Sequence, residues 1–327
     1  MTYKNRLTFL LSLIGALVLV YIVNLIITSN IFGSGSSFYT WLDSKAAPKI
    51  SKIVFIAGST EETGQDQAYE LVRKNNRWFV SHNSYEYPAR QTRIDDLISA
   101  LTKRAEFPVR TSSVSSHDRF GVGENAPKAV FHGDFSVIME LLLGNDDIFK
   151  SETYYRKAGQ NDVRSGASAI KSFLTSSANT WYNLRLITES ESDGAKVGIE
   201  NVQRVSVFFG NQTQIFTRKN RGWEIAGIEV ANPSVSNIEN YIRSILNMEG
   251  DNFADFSLKN DPMFANDRIV IEFGNARVVT IHLSEADESG RIHAYVSGTA
   301  AGGDFVYSIP PWFAGRIYRD ASGFETQ

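Results

Sequence analysis

The sequence predicts an α+β protein: an N-terminal transmembrane helix followed by two tandem repeats of a mostly antiparallel sheet with an amphipathic helix. Three observations predict this fold class. They are an apolar run near the N-terminus, a motif that recurs at a fixed offset, and alternating apolar and polar segments that are typical of strands. The predicted parts are a cytoplasmic tip with the transmembrane helix (1–30), a linker (31–47), a first repeat (48–190) and a second repeat (191–327).

The N-terminal element is the apolar run LTFLLSLIGALVLVYIVNLII at residues 7–27. Its length suits a bilayer-spanning helix, and no charged residue lies between Arg6 and Asp43. The alternative is a cleavable signal peptide, which would have a shorter apolar region and a small-x-small cleavage site, for which TSNIFGSGSS is a weak candidate. We therefore expect an uncleaved anchor. Lys4 and Arg6 precede it, so we expect a cytoplasmic N-terminus and an exported remainder.

Small and weakly polar residues mark two faces of this predicted helix. Thr8, Ser12 and Gly15 follow helical spacing and form one stripe, and Asn24 lies on a different face. Small residues let a second transmembrane helix approach closely, so these four positions are the candidate docking residues for a membrane partner. The alternative is that they are the few small residues that many single-span anchors carry.

A flexible linker, GSGSS at residues 33–37, is predicted between the helix and the folded part. Three aromatic residues follow it, namely Phe38, Tyr39 and Trp41. They either rest at the level of the lipid headgroups as an aromatic belt or form the first residues of the folded domain.

The repeat is clearest in one short motif. RKNRGWEI at residues 218–225 repeats the pattern of RKNNRWFV at residues 73–80, with an offset of 145 that continues through a following proline and helix. The Arg-Lys-Asn triplet is predicted at a hairpin turn, with the tryptophan at the start of the return strand. We interpret the motif as the signature of a duplicated fold, and a duplicated ligand site built on the tryptophans is the alternative. The repeat signature comprises Trp78, Pro88, Trp223 and Pro233.

An amphipathic helix is predicted after each proline. The apolar faces comprise Ile94, Leu97, Ile98 and Leu101 in the first copy, and Ile238, Tyr241, Ile242, Ile245 and Leu246 in the second. Thr92 and Asn237 are the expected N-caps of these helices. Later in each copy, the strand near Tyr155 resembles the strand near Tyr295.

The residue inventory predicts no catalytic, cofactor-binding or metal-binding residue, and we expect no enzyme. The chain has no Cys, which excludes disulfides, thiolate zinc sites and thiol nucleophiles, and its five His lack metal-binding spacing. A net charge of −3 without a long basic run argues against nucleic acid binding. His117 and Asp118 beside Ser115 and Ser116 supply the residue types of a catalytic triad, but sequence neighbours on a loop are not expected to adopt its geometry.

The order of these features resembles one known family. A single N-terminal span is followed by a strand, a tryptophan, a proline, an amphipathic helix, FGV with a later proline, and LLLG ahead of a tyrosine-containing strand. The residues that carry the resemblance are Trp78, Pro88, Phe120, Gly121, Pro127, Gly144 and Tyr155. The chain is similar in this order to the domain of unknown function 4340 family, many members of which are encoded beside ABC-2 transporters of the gliding-motility type.

The resemblance implies a non-catalytic exported accessory subunit of such a transporter complex. Its partners would be the ABC permease, related membrane subunits and membrane lipid. Its location would be a bacterial inner membrane, with the ectodomain in the periplasm. The alternative function is a stand-alone membrane-tethered module that binds a lipid or a glycan, held between the two repeats where pockets often form.

Overall fold

The computed structural model describes residues 17–18, 20–21, 37–58, 68–188, 198–220, 222–298, 305–317 and 319–326. Nearly all of the apolar run 7–27 lies outside these ranges. The four residues of the run that are described are helical and exposed, namely Leu17, Val18, Val20 and Tyr21. Within the described ranges, no helix combines the length and the hydropathy needed to cross a membrane.

The described chain has a mixed α+β fold with mostly antiparallel sheets. The strands of the first half are β1 (Phe38–Tyr39), β2 (Lys52–Ile56), β3 (Ala68–Lys74), β4 (Arg77–His82), β5 (Tyr85–Pro88), β6 (Ala105–Glu106), β7 (Val109–Thr111), β8 (Lys128–His132), β9 (Val137–Asp146), β10 (Glu152–Lys157) and β11 (Val163–Ala167). Those of the second half are β12 (Val202–Phe209), β13 (Gln212–Lys219), β14 (Gly222–Ala226), β15 (Asn252–Phe253), β16 (Asp267–Phe273), β17 (Val278–Leu283), β18 (Ile292–Ser297) and β19 (Val306–Ile309). The helices are α1 (Gln91–Thr102), α2 (Ala169–Leu174), α3 (Val235–Leu246) and α4 (Pro311–Ala314).

The strands form two separate large sheets with closely matching orders. The first has the order β5-β4-β3-β2-β8-β9-β10-β11-β7, and the second has the order β14-β13-β12-β16-β17-β18-β19-β15. The first sheet begins with a four-strand meander, β2 to β5, and the second with a three-strand meander, β12 to β14. In each, the meander is followed in sequence by a long helix, by a short strand that pairs at the far edge of the sheet (β7 or β15) and then by four consecutive strands. β1 and β6 form a small ribbon of their own. The repeat boundary predicted between residues 190 and 191 lies outside the described residues.

The strands are held in register because one face of each sheet is apolar. In β16, Ile269, Ile271 and Phe273 are buried while the residues between them are partly exposed. This period of two is what a half-buried strand requires, and a slip of one residue would turn the apolar set toward water. The same alternation in β2, β4 and β18 gives each sheet one face for its helix to cover.

The two long helices bury the predicted faces but begin differently from the prediction. Ile94, Leu97 and Leu101 are buried in α1, and all five predicted positions are buried in α3. The predicted caps Thr92 and Asn237 are wrong. Ser234 caps α3 by accepting a hydrogen bond from the Asn237 backbone, whereas α1 starts after Arg90 without a side-chain cap. The five buried residues of α3 are Ile238, Tyr241, Ile242, Ile245 and Leu246.

The aromatic residues after the linker begin the folded domain. Trp41 is 2% exposed, and its ring packs edge-on against Phe107 and Tyr155 in the first core. Tyr39 lies in strand β1 of the ribbon, where it pairs with Ala105, and its ring contacts the ring of Trp41. Phe38 alone of the three remains largely exposed, at 54%. The chain therefore enters the first core within a few residues of the GSGSS segment, inside the range 31–47 predicted as the linker.

Candidate functional site

The four candidate docking residues lie outside the described residues. Thr8, Ser12, Gly15 and Asn24 all belong to the part of the predicted helix for which no structure is described. Their docking role therefore stays a prediction. The other four candidates, which form the repeat signature, all lie within the described residues.

The RKNxxW motif forms a hairpin in both halves. In the first half, Asn75 and Asn76 make the two-residue turn with φ of 50° and 63°, the left-handed conformation that Asn tolerates and that hairpin twist favours. Trp78 and Trp223 each lie opposite the arginine of the motif and are 5% and 8% exposed. Both tryptophans are thus core residues, with little ring surface left to contact a ligand.

The arginine of the motif ties the hairpin to the start of its own sheet. Arg218 donates from Nε to the Val202 carbonyl oxygen at 2.7 Å and from Nη2 to the Ile199 carbonyl oxygen at 2.6 Å. Arg73 donates from Nη1 to the Pro48 carbonyl oxygen at 3.2 Å. In both halves the acceptor lies in or next to the 3₁₀ turn that precedes the first strand. A planar guanidinium suits this task because it offers several donors in a fixed geometry.

The two signature prolines mark where the end of each half returns to the helix. The Asn183 backbone donates to the Pro88 carbonyl oxygen at 2.7 Å. Pro233 forms an isolated antiparallel bridge with Glu325. Each returning segment therefore closes its half directly before α1 or α3.

Each returning segment buries one large aromatic ring under its helix. Trp181 and Phe324 both end a 3₁₀ turn and are fully buried. Trp181 donates from Nε1 to the Tyr69 hydroxyl at 2.8 Å, and burial raises the pKa of Tyr69. Phe324 packs against Phe216 and Tyr241, with ring centroids 5.2 Å away in both cases. The contacts around the signature residues therefore join the end of each half to the region of its long helix.

A loop covers the outer face of each sheet and makes an aromatic contact with it. Phe120 packs edge-on against Tyr154 at 4.7 Å, and Phe264 packs in the same way against Tyr295 at 5.0 Å. Tyr155 instead points into the core and is fully buried. Tyr154 is thus the counterpart of Tyr295, in the strand whose sequence resembles that around Tyr295. A strand reverses its face at every residue, so Tyr154 lies on the outer face of the sheet and Tyr155 on the inner one.

The loop of the first half borders a cleft of about 970 Å³. Its charged side chains hold the loop and the strand ends in place. Arg156 donates from Nε to the Val122 carbonyl oxygen at 2.9 Å, and Lys171 contacts Asp146 at 2.5 Å. The hydrogen bond from Lys171, with a second from Thr153, lowers the pKa of Asp146. These charged groups therefore already have partners within the protein.

The triad residue types do not meet in a triad. His117 is 8% exposed, and its Nε2 faces the Asn161 carbonyl oxygen at 3.0 Å. Ser115 shares a hydrogen bond with Ser113. Over the described ranges, no hydrogen bond joins His117 to Ser115, Ser116 or Asp118, and no cluster of three or more His, Asp or Glu side chains is arranged to hold a metal ion.

An aromatic cluster joins the two halves. Tyr87 and Tyr182 belong to the first half, and Phe253 packs on both, with ring centroids 5.0 Å and 5.2 Å away. Phe256 and Phe305 extend the cluster, at 5.7 Å and 6.3 Å from Tyr87. Such ring pairs add stability beyond the area they bury. An aromatic content of 12% signals a ring-rich core, but no local pattern tells which distant rings meet.

Backbone bonds and an ion pair reinforce this interface. The Leu186 backbone donates to the Met248 carbonyl oxygen at 3.1 Å, and the Gly250 backbone donates to the Leu184 carbonyl oxygen at 2.9 Å. Arg185 and Glu249 form an ion pair at 3.1 Å, one of several polar contacts across this interface. The two halves are thus fastened by rings and by strand-like pairing at the same place.

One family profile matches the chain. It is described as a domain of unknown function (DUF4340) and covers residues 78–263, more than half of the chain. The match includes all four signature residues and the loop over the cleft. Searches of curated proteins and of solved structures gave no match. The match confirms the resemblance seen in the order of sequence features, and the chain belongs to the DUF4340 family of domains of unknown function.

Proposed function

We propose that the chain is a non-catalytic accessory subunit of an ABC-type transporter complex of the ABC-2, gliding-motility-like class. Residues 7–27 anchor it in a bacterial inner membrane, and the two-part body lies in the periplasm. The anchor docks against the permease or a related membrane subunit. The observation that carries the proposal is a charge-free apolar run of bilayer length that bears a stripe of small residues.

We also propose that the body is a tandem duplication. Three independent features support it: the strand orders of the two sheets match closely, the motif arginine binds a carbonyl at the start of each sheet, and a buried aromatic ring closes each half. The 145-residue offset of the sequence motif supports it as well. A duplicated body offers a partner two related surfaces at a fixed separation.

The aromatic interface favours a body that moves as one piece. The ring centroids of Tyr87, Tyr182 and Phe253 lie within 5.2 Å of one another, and backbone hydrogen bonds between the halves lie beside them. A body fastened in this way keeps its two halves in a set relation to the anchor, which suits a subunit that presents a surface to other envelope proteins.

The alternative is a stand-alone module that binds a lipid or glycan between the halves. The rings that meet there already pack against each other, and the 970 Å³ cleft lies within the first half. This arrangement favours the accessory-subunit proposal. Stoichiometric lipid or glycan on protein purified without other subunits would favour the alternative.

The proposal is tested by affinity purification of the tagged full-length protein in mild detergent, followed by mass spectrometry. Three proteins are compared: the unsubstituted chain, Gly15→Leu and Ile14→Phe. Gly15→Leu fills the small-residue stripe. Ile14→Phe also adds bulk in the same turn but lies off the stripe, so it serves as the matched control.

The proposal expects permease and ATPase subunits with the unsubstituted chain and with Ile14→Phe, and their loss with Gly15→Leu. Recovery of the chain alone, under conditions that keep other membrane complexes intact, would contradict it. Equal recovery of subunits with both variants would place the contact elsewhere than on the stripe.

A further inference from the structure

Exposed apolar side chains gather at one edge of the first sheet, namely the edge at which β3, β8 and β10 end in turns. Phe135, in the turn between β8 and β9, is fully exposed, and Val137 after it is 54% exposed. Phe38 is also 54% exposed. Single exposed apolar residues are ordinary, but several at one edge indicate a contact surface.

This edge is also where the chain enters the fold. The Ser51 backbone donates to the His132 carbonyl oxygen at 2.9 Å, immediately before the turn that carries Phe135. On the same edge, the Tyr39 hydroxyl donates to Gln160 at 3.2 Å in the turn between β10 and β11. We call the turns after β3, β8 and β10, together with residues 37–51, the entry edge.

The length of chain before the fold limits how far the entry edge can be from the anchor. Nine residues, 28–36, lie between the apolar run and residue 37. Even a fully extended chain of that length spans at most about 30 Å. The opposite edge of the sheet, where the turn 147–151 lies, is farther by the length of the ten-residue strand β9, roughly 30 Å more.

A groove beside Phe135 has the character of a headgroup site. It has a volume of about 620 Å³ and is bordered by Lys52, Arg73, His132 and Asp134. Lys52 and Arg73 carry permanent positive charges and Asp134 carries a negative one. Lys52 also forms an ion pair with Glu70 at 3.3 Å at the protein surface. Basic side chains beside an exposed aromatic ring form the usual combination at the surface of an anionic membrane.

We propose that the entry edge rests on the bilayer, with the Phe135 ring among the lipid headgroups and Lys52 and Arg73 facing lipid phosphates. The inference rests on the proposed anchoring by residues 7–27. It adds an orientation to the body: the first sheet stands with its entry edge on the membrane, and the turn with Ile148 and Phe149 faces away from it. Those two residues are 95% and 85% exposed.

The absence of Cys from the chain allows a direct depth measurement. Phe135→Cys and Phe149→Cys are made separately in the full-length protein and labelled with a small fluorophore. Each is placed in nanodiscs of phosphatidylethanolamine and phosphatidylglycerol, with or without lipid that carries a spin label near the headgroup. Phe149→Cys is the matched control because it adds the same label to an equally open turn at the opposite edge.

The inference expects spin-labelled lipid to quench the label at residue 135 by about twofold or more and to leave the label at residue 149 nearly unchanged, because interfacial groups lie within 5–10 Å of the headgroup boundary. Co-elution of both variants with nanodiscs reports the anchor separately. Co-elution with equal quenching at both positions, or with none, would overturn the orientation alone. Failure to co-elute would overturn the anchor as well.

Discussion

Replacing Arg218 with Met tests whether the motif arginine holds the second sheet together. Met keeps an apolar chain of similar length against Trp223, whose ring centroid lies 4.5 Å from the guanidinium carbon. It removes both hydrogen bonds to backbone carbonyls, those of Ile199 and Val202. These two residues are 5% and 0% exposed, so little water is available to replace the lost donors.

The structure gives an expected size for this loss. Hydrogen bonds from a charged donor contribute about 1.5–3 kcal/mol each, and less where water competes. Arg218→Met should therefore lower the free energy needed to open the β12–β13 pair by about 3 kcal/mol. The control is Arg73→Met in the same motif. Arg73 is more exposed to water and its bonds to Pro48 and Asn76 are longer, at 3.2 Å and 3.1 Å, so a loss of about 1 kcal/mol or less is expected.

Hydrogen–deuterium exchange of the full-length protein in detergent measures both effects. The relevant amides are those of the β12–β13 pair, in which Val205 lies opposite Phe216. A loss of about 3 kcal/mol corresponds to an exchange rate on the order of a hundredfold faster. The reasoning would be refuted if Arg218→Met changed the exchange rate in the β12–β13 pair by less than threefold (roughly 0.6 kcal/mol). It would also be refuted if Arg73→Met accelerated exchange in the corresponding β2–β3 pair as much as Arg218→Met does in β12–β13.

Three further outcomes follow from described contacts. Phe253→Ala should uncouple the halves and replace one thermal unfolding transition with two, at a cost of about 3 kcal/mol for the lost ring, and a single unshifted transition in calorimetry would contradict this. Gly144→Ala should destabilise the first half by about 1–3 kcal/mol because the added Cβ would lie 2.3 Å from the Phe120 carbonyl oxygen. In the control Gly274→Ala, the nearest atom to the added Cβ is the end of the flexible Gln203 side chain at 3.2 Å, and equal urea midpoints for the two variants would contradict the argument. Burial, with a smaller effect of Arg268, lowers the pKa of His282, so unfolding takes up a proton and stability should fall as the pH drops below about 6.5. Burial also lowers the pKa of His293, so His282→Gln should reduce this dependence in thermal melts between pH 7.5 and 5.5, and an unchanged dependence would contradict the assignment.

Local patterns in the sequence were enough to predict the hairpins and the helix faces. The turn at Asn75 and Asn76 follows from two residues that tolerate positive φ between alternating segments, and the structure has it there. The α1 and α3 faces follow from a 3.6-residue period, and their predicted apolar residues are buried or packed against the core. Both signals lie within a dozen residues of chain, which is why a single sequence carries them.

The features that depend on distant residues could not be predicted in this way. Asn237 is a good capping residue by type, but its side chain donates to the Glu325 carbonyl oxygen at 2.8 Å, and Ser234 takes the cap. Tyr154 and Tyr155 are the same residue type, so the sequence does not tell which of them is buried. The pairing of the strand within the sheet decides this. The interface of Tyr87 with Phe253 joins residues that no local period relates.

Contact between residues 7–27 and a membrane partner can be measured in the cell itself. A photoreactive phenylalanine analogue is placed at Ser12, on the small-residue stripe, or at Ile14, off it, in the full-length protein, and the crosslinked products are identified by mass spectrometry. The proposed docking predicts a crosslink to a polytopic permease from Ser12 and a much weaker one from Ile14. No protein crosslink from Ser12, or the same products from both positions, would contradict docking through the stripe.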